Sequence, residues 1–586
     1  MSTNYHKFSK ISVWRLFFIG LLALISIYMT ACSQAVPVSE ATTPESQSTS
    51  TSQEVESVPK ATTEPEPTST SQEIQEVPPE EQSFRFPWFE PPGSIDPTVA
   101  FGGYPIAINL FSGLVNREDP TQLDQAESVE VSEDGSIWTF KLKEGLKWSD
   151  GTPLTAHDYE YALKRYVDPD TASPLAFFAY YIKGAKTVNE GGASLDEMSV
   201  KAIDDLHLQI EFERPIGFAP ALLTLWGFYP VPQEKIEKFG ADWVEPENLI
   251  TNGPWIIDSW EHDSEMVLVP NPNYHGAKPE VDKVILSLIQ QPFVTDDGVA
   301  LRAYENNEVD YADVPFAELD RVKDDPTLEQ ELHFGAKLRP VWINFDTSNE
   351  PWSDPKVRQA FALAIDRNLL SETVFKGIYQ PMKSLIPASL LPENSRSVGP
   401  EYNVELAQQL LAEAGYPNGE GFPEFTLQGG SGPVNELLAP ALQEQWRKKL
   451  GITSMKIELL ERKTFDELVQ QTYKEQPFDL TIGGLTADFL DPGAYFDTWL
   501  STRQEFYSNH WENAEYDQIV NTAGEASDIK IRAELYEKAN EILVDELPAI
   551  PLWLDGWAYV LKPHVKQFNF AFSNIEPKFE TIELSE

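Results

Sequence analysis

Trp138-Thr139-Phe140-Lys141-Leu142-Lys143-Glu144-Gly145-Leu146-Lys147-Trp148-Ser149-Asp150-Gly151-Thr152-Pro153-Leu154-Thr155-Ala156-His157-Asp158 holds a strand, a turn and a helix start in one continuous run. Trp138, Phe140 and Leu142 alternate with Thr139, Lys141 and Lys143, the period-two pattern of a strand with one buried face. Asp134-Gly135 just upstream is a hairpin-turn pair, so this strand has a partner arriving from Val129. Ser149-Asp150-Gly151-Thr152-Pro153 then turns the chain, and Thr155 with Asp158 three residues later forms a capping-box pattern. The helix it opens carries Tyr159, Ala162, Leu163 and Tyr166 on one stripe.

Working outward, helices are predicted over Pro355–Leu370, Glu405–Ala414, Asn435–Leu450, Thr464–Tyr473 and Ile529–Leu543, with strands between them. Asp354-Pro355 and Thr464 serve as helix starts, and Gly415 and Gly451 fall where C-terminal caps belong. Strands alternating with helices indicate an α/β architecture with sheets at the centre. Roughly 500 residues follow Ser83, too many for one core and enough for two or three domains.

The N-terminus has a different character. Lys7, Lys10 and Arg15 precede an apolar run, Leu16–Tyr28, and small residues lead to Cys32, the single cysteine. That is signal-peptide anatomy, and the run is shorter than the roughly 20 residues of a spanning helix. Met29-Thr30-Ala31-Cys32 resembles the lipobox of bacterial lipoproteins, which implies removal of 1–31 and lipid on Cys32. An ordinary cleaved signal with an incidental cysteine is the other reading. With one cysteine no intrachain disulfide can form.

Residues 32–83 read as a disordered tether. From Ser33 to Ser83 there is no aromatic residue and no glycine, and Thr51-Ser52-Gln53-Glu54-Val55 returns as Thr70-Ser71-Gln72-Glu73-Ile74. Such a composition cannot bury enough apolar surface to fold, and about 50 flexible residues reach on the order of 40 Å.

Ninety-three acidic residues against 44 basic ones give a net charge of -49, which opposes nucleic acid or anionic lipid as a partner. Among the eight histidines no pair has metal-ligand spacing, and there is no phosphate loop. Gly429-Gly430-Ser431-Gly432 lacks the pattern of a nucleophile elbow. No catalytic, metal or cofactor motif therefore emerges, and nothing makes a positive case for an enzyme.

The stretch 138–158 resembles the signature of family 5 extracellular solute-binding proteins, the oligopeptide- and dipeptide-binding lipoproteins of ABC importers. The resemblance continues through Asp168-Pro169-Asp170-Thr171-Ala172-Ser173-Pro174, Thr251-Asn252-Gly253-Pro254, Asn271-Pro272-Asn273-Tyr274 and Leu411-Ala412-Glu413-Ala414-Gly415-Tyr416. It implies a two-lobe periplasmic-binding-protein-like fold of type II, in the large cluster, with an extra domain inserted in the first lobe. Lobe I would combine 84–127, 247–336 and 556–586, the extra domain would fill 128–246, and lobe II would run over 337–555. Crossings near Lys337 and Gly556 would form the hinge.

The resemblance also implies a function, capture of peptides for a membrane permease, by a monomer on the outer face of the cytoplasmic membrane. An oligosaccharide, a nickel complex or another small solute is the alternative cargo on the same scaffold. A strand edge can pair with any peptide backbone, while a buried α-ammonium needs a carboxylate. By resemblance that carboxylate is Asp488, in Gly483-Gly484-Leu485-Thr486-Ala487-Asp488. Gly484, Leu485 and Thr486 would offer backbone on one side and Gly103 and Tyr104 would line the opposite lobe. Trp342 and Asn344 are further candidates. The enteric relatives place a cation in this strand and an aromatic before the aspartate motif, where this chain has Ile482 and Leu485. Arg462 is then a candidate for the missing cation, with a solvated charge before a helix as its other reading.

Overall fold

The computed structural model describes residues 82–88, 92–100, 103–288, 298–396, 398–469, 477–503, 509–570 and 576–585. The chain divides into Met1–Pro78 and Pro79–Glu586, and only the second is described below. The leader, Cys32 and the tether up to residue 81 lie outside the described residues. Ser83, expected as the last tether residue, instead opens the first strand, where it pairs with Lys283.

Numbered along the chain, seventeen strands build three larger sheets and a hairpin among the described residues. The first sheet has the order β1–β8–β7–β6, from Ser83–Trp88, Lys283–Leu288, Glu265–Pro270 and Trp255–Glu261. The second, β2–β3–β5–β4, comes from Ala126–Val131, Ile137–Leu142, His207–Glu211 and Val200–Ala202. It contains the expected strand, with Trp138, Phe140 and Leu142 buried, and the expected Asp134-Gly135 turn, in which Gly135 has a φ of 73°. The helix Ala156–Val167 follows, and its capping box is formed by Thr155 and Asp158. Tyr159, Ala162, Leu163 and Tyr166 are buried, as the stripe predicts.

The largest sheet runs β11–β15–β10–β14–β12–β13, with β9 on the far half of β15. Its strands are Tyr311–Val314 (β9), Leu332–Phe345 (β10), Gln380–Pro381 (β11), Phe425–Gly430 (β12), Met455–Leu460 (β13), Leu480–Gly484 (β14) and Ala549–Leu561 (β15). Strands β12, β13 and β14 are parallel to one another, while β10 is antiparallel to both β14 and β15. The register of β10 against β15 breaks between Ala336 and Pro340. Val565–Phe570 (β16) and Pro577–Leu584 (β17) form the closing hairpin.

Side-chain alternation explains where the cores fall. Val341, Ile343 and Phe345 of β10 enter one core, with Leu480 and Ile482 of β14, while Trp342 points to another with Trp499, Tyr516 and Tyr536. A third core is continuous between the first two sheets, taking Phe84 and Leu286 together with Phe140 and Leu208.

Some helices differ from expectation at their ends. The helix from Pro355 stops at Leu363, because Asp366 caps a new turn by accepting from Leu369 N at 3.0 Å. The helix expected from Thr464 begins at Arg462, since Glu461, not Thr464, is the cap and accepts from Thr464 N at 3.1 Å. Residues 470–473 of that prediction lie outside the described residues. The remaining helices, Val404–Glu413, Pro433–Leu450 and Ile529–Glu546, match within a few residues.

Thr155→Ala removes the hydroxyl of the capping box and is expected to cost about 1 kcal/mol. Hydrogen exchange at the first amides of Ala156–Val167 checks this, with faster exchange there and unchanged protection in β12 and β14.

Candidate functional site

Strand β14 separates two cavities. Its last residues, Ile482, Gly483 and Gly484, line one of about 470 Å³, and the segment just past it, Leu485, Ala487 and Asp488, lines another of about 540 Å³. Both lie in the range of about 300–1,000 Å³ typical of ligand pockets. The glycines at the end of β14 have a packing reason. A Cβ on Gly484 would come within 2.8 Å of Pro340 O, and one on Gly483 within 2.9 Å of Asn344 Nδ2.

The loop carrying Asp488 is pinned at several points. Leu485 N donates to Pro340 O at 3.2 Å, tying its start to β10 beside the register break. Phe489 stacks on Phe218 with ring centroids 5.7 Å apart, so the residue after Asp488 is held by the segment that follows the second sheet. Asp491 is buried, caps the helix Pro492–Phe496 through Gly493 N, and receives a two-pronged ion pair from Arg532 at 2.8 and 2.9 Å. Arg532 also donates to Ala523 O and Tyr536 Oη, so each of its three nitrogens is engaged. Tyr495 on the same short helix donates to Leu338 O at 2.5 Å.

Asp488 itself is open to solvent along the cleft, yet the surrounding walls desolvate its carboxyl enough to raise its pKa. Burial raises the pKa of the Tyr104, Tyr166 and Tyr495 phenols, and the charge of Asp488 adds to each. Tyr104 and Tyr166 come from elements far from Asp488 in sequence, so the fold brings both phenols within electrostatic reach of this carboxylate. Tyr104 stacks on Trp226 at 4.2 Å and donates its hydroxyl to Glu576.

The remaining expected residues divide. Gly484, Asn344 and Arg462 line the smaller cavity, and Leu485 and Asp488 the larger. Thr486 is exposed and lines neither. Trp342 is buried against Trp499, ring centroids 5.2 Å apart, and belongs to the core. Gly103 caps the helix Tyr104–Leu110 and packs on Ser94 O, where a Cβ would approach to 2.0 Å. Arg462 Nε donates to Asp466 at 2.9 and 3.0 Å, an exposed i,i+4 pair of the kind worth little to stability.

Sequence reading missed Arg339, which lines the smaller cavity and pairs with Asp555 at 3.4 Å. It also missed the wall of the larger cavity formed by Phe177, Phe178, Tyr180 and Tyr181. The dense aromatic run after Ser173-Pro174 was a visible signal for the second. Arg339 carried no motif, since its placement follows from the register of β10.

Two separate cavities thus lie beside the end of β14, and the larger carries an open carboxylate whose pKa burial raises. The chain belongs to the bacterial extracellular solute-binding proteins, family 5, whose middle region matches residues 121–507. It is 30% identical over 501 residues to the probable deoxycholate-binding periplasmic protein YgiS of Escherichia coli (strain K12), covering 83% of this chain and 91% of that one. It is 29% identical over 483 residues to the oligopeptide-binding protein OppA of Bacillus subtilis (strain 168), covering 80% and 86%. Among solved structures, the periplasmic murein tripeptide binding protein MppA in its unliganded open form matches with a TM-score of 0.77 at 28% identity, covering 86% of this chain and 98% of that one. Another structure of that protein, from Escherichia coli, covers 86% and 99% at 27% identity with a TM-score of 0.61. The expected two-lobe α/β fold with an inserted domain is the fold of this chain. Among the described residues, no helix is long and apolar enough to cross a membrane.

Arg532→Met should leave Asp491 charged and uncompensated in a buried site, a loss of about 3–5 kcal/mol. Chemical denaturation followed by tryptophan fluorescence measures it, and a shift well below 1 kcal/mol would contradict the anchoring assigned to this pair.

Proposed function

We propose that this solute-binding protein captures peptides between two hinged lobes and delivers them to an ABC permease. The observation that carries the reading is the Asp488 carboxylate, open to the cleft and desolvated, just past the end of β14. Such a group is poised for a cation that brings its own charge into the site, and the α-ammonium is the cation every free peptide has. The edge at Gly484 and Leu485 then offers main-chain pairing that is blind to side chains.

In this reading the lobes hinge at crossings near Lys337 and Gly556, and the register shift between β10 and β15 at that place supports it. The match to an unliganded open form, at a TM-score of 0.77, supports an open cleft whose two cavities join on closure. Asp488 holds the ammonium, Gly484 and Leu485 present backbone, Tyr104 lies within electrostatic reach of Asp488 from the first lobe, and Asn344 and Arg462 line the adjoining smaller cavity. Cys32 carries the lipid that keeps a monomeric receptor at the outer face of the cytoplasmic membrane, which raises its effective concentration at the permease.

A second reading, a small apolar solute, is favoured by the aromatic wall of the larger cavity and by the relative named for deoxycholate. Asp488 weighs against it, because a carboxylate ligand would meet a like charge in a desolvated place.

Asp488→Ala should weaken binding of a free peptide by several kcal/mol, a loss that N-acetylation of the peptide reproduces. Isothermal titration calorimetry decides: equal affinity for free and acetylated peptides would overturn the assignment, and tight binding of deoxycholate instead would favour the second reading.

The pH dependence has a definite sign. With its pKa raised in the fold, Asp488 keeps a proton to higher pH than in the unfolded chain. It therefore favours folding below the ordinary aspartate pKa and loses that contribution as pH rises through the raised one. Peptide affinity runs the other way. It should fall on acidification, starting at higher pH than an exposed aspartate would give, in calorimetric titrations repeated at several pH values.

A further inference from the structure

The larger cavity has two dissimilar sides. Leu485, Ala487, Asp488 and Phe489 follow β14, while Phe177, Phe178, Tyr180 and Tyr181 come from the 3-10 helix Ala176–Tyr181, between β3 and β4 of the second sheet. That helix is firmly held. Tyr180 Oη donates to Asn189 Oδ1 at 2.7 Å, and Asn189 Nδ2 in turn donates to Val167 O at 2.8 Å. Tyr181 sits edge-on to Phe218 at 5.2 Å, and Phe218 stacks on Phe489 at 5.7 Å. An aromatic chain therefore runs from the wall to the residue beside Asp488. Gly217 N donating to Gly524 O at 2.7 Å and Arg214 pairing with Glu525 at 3.0 Å hold the two sides together nearby.

On this fixed wall Phe177 is the exception. It lies against Phe178 at 4.3 Å but remains 51% exposed, a large apolar side chain left in water inside a concave site. An exposed aromatic in a pocket marks surface that a ligand covers. What the ligand puts there follows from geometry. The ammonium of a free peptide is its end, and the first side chain branches from the next atom. With the ammonium at Asp488, the first side chain is the part of the peptide that falls in this cavity.

We propose that the 3-10 helix Ala176–Tyr181 is a specificity wall that selects ligands whose first residue is large and apolar, with Phe177 as its main contact. This rests on the assignment of Asp488 to the α-ammonium. Acidic first residues are excluded by the same pocket, because Asp488 and Asp497 both line it. Phe177 acts on the ligand's side chain and Asp488 on its amine, so the two contributions separate experimentally.

The test uses the full chain and two peptides identical after the first residue, one beginning with Phe and one with Gly, each free and N-acetylated. Calorimetry should show the wild type binding the free Phe peptide about tenfold or more tighter than the Gly peptide, the effect of covering one aromatic side chain. Phe177→Ser should remove most of that preference without changing affinity for the Gly peptide, and Phe177→Leu should restore part of it. A first-residue preference equal in wild type and Phe177→Ser, or no preference in the wild type, overturns the proposal. If acetylation has no effect while the Phe177-dependent preference persists, the wall stands and the amine assignment falls. If acetylation abolishes binding and the preference ignores Phe177, the reverse holds. Circular dichroism confirms that the variants fold, and the Gly peptide serves as the internal control.

Discussion

The antiparallel pairing of β10 with β15 runs from Leu332 opposite Val560 to Asn344 opposite Ala549. Beyond Gly556 the C-terminal end of β15 takes β9 as a further neighbour, and the C-terminal end of β10, Val341–Phe345, takes β14 and, through it, β12 and β13. One pair of strands therefore carries β9 at one end and β14, β12 and β13 at the other. The ladder is interrupted between Ala336 and Pro340, and irregular backbone there leaves fewer hydrogen bonds to resist a change of φ and ψ. The site hangs from the same place. Pro340 O accepts from Leu485, Leu338 O accepts from Tyr495, and Arg339 lines the smaller cavity. A rotation about this point would move the Asp488 loop against the elements carrying Tyr104 and Tyr166.

Within that frame the Asp488 loop is ordered before any ligand arrives. Pro340 holds its start, Phe218 its middle and Arg532 its end. The Arg532–Asp491 pair is buried and bidentate, a geometry that places a loop accurately even where it adds little net stability. A carboxylate on a backbone held in this way spends less conformational entropy when a cation binds, which is the physical content of preorganisation. The cost is the desolvation that raises the Asp488 pKa, and a bound ammonium would offset it.

Local chemistry made much of the fold legible in advance. The alternation Trp138, Phe140, Leu142 and the Thr155–Asp158 box depend on residues within a turn or two of one another, and they appear as expected. Errors arose where a neighbouring polar residue competed locally. Asp366 restarts a helix that apolar periodicity carried on to Leu370, and Glu461 caps before Thr464 can. Asp488 was reachable only through resemblance, because an acid after an apolar strand usually serves a turn. Trp342 shows the converse, since its alternation on β10 directs it to the core with Trp499.

By itself the sequence determined the α/β class, the strand-turn-helix unit around Trp138 to Tyr166, the family, and the acidic character of the chain, because each is written in residue types at short spacing. Only the tertiary structure decided which distant residues meet: Arg532 with Asp491, Phe218 with Phe489, and Phe177 with the cavity of Asp488. Those encounters depend on strand register and on how sheets share cores. A side chain's identity constrains the partners it can accept, but chain topology selects the partner it gets.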